Sequence, residues 1–302
     1  MKAMMSVKAM SVKALMVSSL AAVMLCTTSA SAATSMWKVS KGDDYVYLGG
    51  TIHLLPESAY PLPAEYEQVY KDTDTLVLEA KLPEADDRTA QVAMLNAMSY
   101  GQGEKLSDKL SPAVYQQLTA YFSQYGIQLS QLEGFKPGFV ALQMMAIEMQ
   151  KAKLNGDGVD NYFSKRAEQD HKSELYLESL ESQINLLANM GLGYEDSFIS
   201  LSLAQSADYK NYFDTMIAAW RQGDLDALQT LVVEPIQSLD QQMYQDMLVS
   251  RNQAWLPQIE QMFGNEQREL VLVGAGHLAG EHSVLALLQA AGYQLQQVTT
   301  VQ

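Results

Sequence analysis

The sequence predicts an α/β fold: a central mixed sheet flanked by helices, with a large helical insertion in the middle of the chain. Three observations carry this. Short apolar runs of strand length recur along the chain, at 45–48, 75–78, 175–177 and 270–273. Between about residues 111 and 263 the apolar spacing is mostly helical. Two of the strand-like runs end in the same Gly-x-x-His, and two end in Glu. Strands of similar length interleaved with helices build a sheet covered by helices.

Taken in order, residues 1–32 read as a secretory signal peptide. Lys2, Lys8 and Lys13 form a basic start, 14–25 is mostly apolar, and Ala30-Ser31-Ala32 is a small-x-small cleavage site. Cys26 raises lipidation, but a lipobox needs a small residue where Leu25 stands. One domain, 33–302, follows, with a periplasmic or secreted location expected. It has no cysteine, so its core must hold it without disulfides. Its 17 basic and 35 acidic residues leave a net charge of −18. That argues against nucleic acid or an anionic membrane as partner. No second apolar stretch is long enough to span a bilayer.

Residues 36–48 read as a hairpin turned at Lys41-Gly42-Asp43-Asp44. Pro56, Pro61 and Pro63 mark a loop, and 64–71 a short helix. The run 75–80 is apolar enough for a strand buried on both faces. At 111, Ser-Pro supplies an N-cap and an N1 proline, and Val114, Leu118, Tyr121 and Phe122 share one helix face. A strongly apolar, buried helix is expected over 139–154, a break at 155–158 and a helix over 159–170. A strand at 174–179 precedes helices at 182–190 and 194–263, punctuated by 223–226, Pro235 and Pro257. Strand 270–274, helix 283–291 and strand 293–298 close the chain. There is a twofold echo: strand–GTIH and strand–Glu79 in the first half, strand–Glu178 and strand–GAGH in the second.

The chemistry-bearing candidates sit just past these strands, where α/β sheets place ligands. His53 and His277 end the two Gly-x-x-His runs, and only four histidines exist in 302 residues. Glu79 and Glu178 each follow an apolar run, where a buried carboxylate needs a partner or a ligand. A core histidine or a solvated strand end would explain any one of them alone. Together they form a His₂Glu₂ set suited to a divalent ion, Zn, Mn or Co; alternatively one Glu is a general base. Arg251, beside Asn252 and ahead of Trp255, could fix a carboxylate or stabilise an oxyanion. His171 and His282 read as surface residues. There is no HExxH, no G-x-S-x-G and no phosphate-binding glycine fingerprint.

The ordered motifs Gly50-Thr51-Ile52-His53, Leu78-Glu79, Gly158-Val159-Asp160, Leu177-Glu178 with Gln183, Arg251-Asn252 and Gly274-Ala275-Gly276-His277 resemble the TraB/PrgY/GumN family, which is related to the Tiki proteins. The likeness spans essentially the whole of 33–302. It implies an erythromycin-esterase-like α/β core of two related halves and a metal-dependent peptidase activity. Gly138 stands where the family commonly has an aromatic, and Ser179 where Thr is common. Both touch specificity more than chemistry.

Three readings follow. The first is a metal-dependent hydrolase of peptides, or of another small substrate. His53, His277 and Glu79 or Glu178 would hold the metal, the other Glu would activate water, and Arg251 would stabilise the oxyanion. The second is a non-catalytic protein that sequesters a peptide or other ligand in the same cleft. The third is an interaction module whose histidines are only buried.

Overall fold

Among the described residues, eight strands organise the fold: β1 (Ala33–Lys41), β2 (Asp44–Thr51), β3 (Leu54–Leu55), β4 (Thr75–Leu78), β5 (Gly156–Asp157), β6 (Ser173–Tyr176), β7 (Glu269–Gly274) and β8 (Gln294–Thr299). The computed structural model describes residues 33–81 and 87–299. The expected signal peptide at 1–32 lies outside them. Six strands form one sheet in the order β6-β4-β7-β2-β1-β8. β6, β4, β7 and β2 are parallel neighbours, and β1 and β8 add an antiparallel edge. The mixed α/β sheet is the one expected, and the hairpin of β1 and β2 turns where Gly42 takes φ +65°.

Side-chain alternation explains why the central strands read as unbroken apolar runs. Leu76, Leu78, Leu270 and Leu272 enter one core with Tyr66, Phe163 and Trp220. Val77, Val271 and Val273 enter the other with Trp255, Leu285 and Leu288. Both faces are therefore covered, and β4 is buried at every position. Helices Ala64–Asp72, Val159–Asp170 and Tyr209–Gln222 line the first face, and Ser250–Glu260 with Val284–Ala290 line the second.

A third core joins helices Pro112–Ser123, Pro137–Ala152 and Glu195–Ala207 through Leu118, Phe122, Val140, Met144 and Phe198. Ser111 caps the first of these and Pro112 opens it, as its sequence requires. The apolar helix expected at 139–154 starts two residues earlier and is not buried all round. Met145 is exposed, because only one flank packs against the neighbouring helices. Gly138 lets that helix sit on its neighbour: a Cβ there would lie 2.1 Å from the Leu187 carbonyl oxygen. The break at 155–158 contains β5, which pairs with β3. Among the described residues, no helix is long and apolar enough to cross a membrane.

Candidate functional site

The four parallel strands end together. Thr51 pairs with Gly274, while Leu78 pairs with Leu272 on one side and Tyr176 on the other. His53, Glu79, Glu178 and His277 therefore emerge at one rim, the carboxyl end of the sheet. Pairing continues past β4 and β6, since the Glu178 N–H donates to the Glu79 carbonyl at 2.7 Å. Beneath the rim, the Gly50 carbonyl accepts from the Tyr66 hydroxyl and from the Trp220 indole at 2.7 Å, anchoring the first Gly-x-x-His in the core.

Gly274 is the open floor of this group. A Cβ on it would lie 3.2 Å from Glu79 Oε1, 3.5 Å from His53 Nε2 and 3.7 Å from His277 Cδ2. The missing methyl leaves a space that three side chains face. The Gly274 N–H also donates to Glu79 Oε1 at 2.6 Å.

His53 is held from behind. Its Nδ1 lies 2.9 Å from Asp160 Oδ2, and Thr51 Oγ1 donates to Asp160 Oδ1 at 2.8 Å. Asp160 sits in the first turn of helix Val159–Asp170, where the helix dipole favours a carboxylate. The β3–β5 pair and the Val159 N–H to Ile52 carbonyl bond bring that turn under His53. Gly158 makes the approach possible: a Cβ there would lie 2.1 Å from the His53 carbonyl oxygen. The imidazole is 66% exposed on the opposite side, leaving Nε2 open to the cleft. The Asp160 charge outweighs the opposing effect of burial, and the His53 pKa is raised to about 9.

His277 is buried, and its tautomer follows from its partners. Asn252 Nδ2 donates to the His282 carbonyl at 2.8 Å, so Asn252 Oδ1 is the atom facing His277 Nδ1 at 2.6 Å. An amide oxygen only accepts, so His277 carries its proton on Nδ1. Its Nε2 lone pair then accepts from Arg251 Nη1 at 3.0 Å. Burial, with Arg251 adding to it against the pull of Glu79, pushes the His277 ring down to about 3. The Trp255 ring packs 4.4 Å from it, centroid to centroid.

Arg251 lies in the middle of the predicted set. Nη2 donates to Glu79 Oε2 at 2.5 Å, Nε to Glu178 Oε1 at 2.7 Å, and Nη1 to the Met247 carbonyl at 3.2 Å as well as to His277. Glu178 is further held by the Trp255 indole at 2.8 Å and by Gln183 at 2.7 Å. Burial alone would raise the Glu79 carboxyl. The His277 ring, the Arg251 guanidinium, His53 and the Gly274 N–H together hold it down to about 2.

The residues singled out from sequence thus converge, with Arg251 bonded to Glu79, Glu178 and His277. A divalent ion on all four ligands does not fit the side chains as folded. Arg251 takes the His277 lone pair and one oxygen of each Glu, and Gln183 takes the other oxygen of Glu178. Among the described residues, no group of three or more His, Cys, Asp or Glu is arranged to hold a metal. Sequence reasoning assigned no chemical role to Thr51, Asp160, Asn252 or Trp255. The short motifs Gly158-Val159-Asp160 and Arg251-Asn252 were the only signal for Asp160 and Asn252.

The model of the TraB/PrgY/gumN family matches residues 35–297, nearly the whole described chain. The chain belongs to the TraB/PrgY/gumN family. It is similar to the uncharacterized protein YbaP of Escherichia coli (strain K12), 25% identical over 252 residues, covering 82% of this chain and 89% of that one. The same protein of Shigella flexneri matches at the same identity and coverage. All the rim residues from His53 to His277 fall inside the span shared with the family.

Proposed function

We propose that this member of the TraB/PrgY/gumN family is an exported, periplasmic hydrolase that acts on peptide bonds at the rim centre over Gly274. One observation carries the reading. An exposed imidazole nitrogen backed by a carboxylate, an ionised carboxylate and a buried guanidinium all meet at one small opening.

In this reading His53 is the general base. Asp160 fixes Nδ1, and Nε2 takes a proton from a water in the opening as the water oxygen bonds to the scissile carbonyl carbon. The C–N bond breaks, and the proton passes to the leaving amine. Glu79 orients the water. Four bonds occupy Arg251 among the described residues, so one of its five N–H groups remains to donate to the developing oxyanion. Asn252 and Trp255 keep His277 neutral and in place. The two Gly-x-x-His ends lie on the adjacent parallel strands β2 and β7, which supports the two-halved, erythromycin-esterase-like origin.

The divalent ion (Zn, Mn or Co) is the second reading, favoured by His53 alone. An imidazole held by a carboxylate on one nitrogen and free on the other is the usual form of a metal-bound histidine. It would require Arg251 to leave His277.

The test is a mass-spectrometric screen of a peptide library with protein purified after expression of the full chain. Cleavage is expected in the wild type and about 10²–10⁴-fold less in His53→Ala. Tight peptide binding without turnover would establish the sequestering protein instead.

A further inference from the structure

A cleft of about 550 Å³ opens from the catalytic rim, between helix Leu180–Asn189 with the turn after it and the helical stretch from Gln241 to Glu260. Its inner end is Glu178 and Arg251, and its wall includes Asn185, Asn189, Tyr194 and Asp246. The size is that of a site for a small ligand or a short peptide segment.

The charges along this wall are unequal in what they have left to offer. Arg251 is already paired with Glu178 at 2.7 Å and with Glu79 at 2.5 Å. Asp246 is exposed, accepts one bond from Gln242 at 2.9 Å and has no cationic partner among the described residues. The side chains of Asn185 and Asn189 are exposed and hydrogen-bond to nothing among the described residues. A ligand here meets neutral amides and one carboxylate with no cationic partner among the described residues. A ligand carboxylate would face Asp246 with no free cation to offset it, whereas an ammonium or guanidinium would pair with it.

We infer that this cleft is the specificity subsite of the proposed hydrolase, that it takes a substrate segment bearing a cationic side chain, and that Asp246 selects that charge. The inference rests on the proposed function only for the word substrate. The cleft's preference for a cationic ligand stands whether or not the bond is broken.

The test uses three acetylated, amidated pentapeptides, identical except for Lys, Gln or Glu at the centre. Binding to the full-length-expressed His53→Ala protein is measured by calorimetry, and hydrolysis is followed with the wild type. The Lys peptide is expected to bind at least tenfold more tightly than the Glu peptide. Asp246→Asn should remove most of that ratio and Asp246→Lys should reverse it. With the wild-type centre, the same substitutions should move KM and leave kcat nearly unchanged. Equal binding of all three peptides, no binding of any, or a Lys preference that survives Asp246→Lys would overturn the inference. Preferential binding without hydrolysis would keep the inference and overturn the hydrolase reading. Hydrolysis without charge preference would do the reverse.

Discussion

Arg251 Nη1 donates to His277 Nε2 at 3.0 Å, so the second Gly-x-x-His of this chain ends on a guanidinium. That bond organises the centre. Arg251 is 14% exposed, and it pairs with both Glu79 and Glu178, which are 11% and 12% exposed. Removing one member of a buried charge cluster strands the others, which costs about 3–5 kcal/mol. Arg251→Ala is therefore expected to lose stability on that scale in urea unfolding. Arg251→Lys, with a single point charge for four acceptors, should recover only part of it.

Asp160 sets the protonation of His53. Its charge is the largest influence on a ring raised to about 9 from its ordinary 6.5. Asp160→Asn should bring the His53 pKa back toward 6.5, read by NMR titration of the imidazole. If neutral His53 is the base, the alkaline-rising limb of kcat/KM lies near 9 in the wild type and moves down in the variant, with a lower plateau. A limb that stays in place would separate His53 from the proton transfer.

Acid should weaken the fold through the rim. The His277 pKa is lowered from 6.5 to about 3, so its contribution is complete above 6.5 and is lost as pH falls from there through 3. Glu79 acts in the same direction: it is lowered from 4.5 to about 2, so its contribution is complete above 4.5 and is lost through 2. His53 acts oppositely, contributing below 6.5 and losing that as pH rises through about 9. It is too exposed for this to be large. Denaturant titrations between pH 7 and 3 should show a steep loss of stability. In His277→Gln the loss should be shallower, with a smaller starting stability.

Gly158→Ala places a methyl against the His53 carbonyl. Overpacking of this kind costs about 1–3 kcal/mol. The shift should open the 2.9 Å contact between His53 and Asp160. An expected signature is a fall in the His53 pKa in NMR titration that parallels the loss of hydrolysis. Gly126→Ala, remote from the rim, serves as the control and should leave the titration unchanged.

The parts of this molecule that rest on local pattern could be read before folding. β4 and β7 are buried on both faces, so their apolar runs are unbroken, and the residues after them fall at the rim by the geometry of parallel strands. Helix Arg88–Ala97 buries only Ala90 and exposes Val92 and Leu95, so no apolar stripe announces it. Asp160 looks like any acid in a first helical turn, and its partner His53 is 107 positions away. Arg251 stands out beside Asn252, yet its direction depends on burial among Glu79, Glu178 and His277, brought from three other places in the chain. Four ligand-type side chains at one rim suggested a metal. That Arg251 reaches Glu79, Glu178 and His277 at that rim depends on side-chain reach, and spacing along the chain does not encode that.

The most direct test is peptide hydrolysis by protein from which divalent ions have been stripped with a chelator, checked by elemental analysis. Arg251 as the resident cation predicts that hydrolysis persists in the stripped wild type and disappears in His53→Ala. Hydrolysis that is lost on stripping and restored only by Zn, Mn or Co would contradict it.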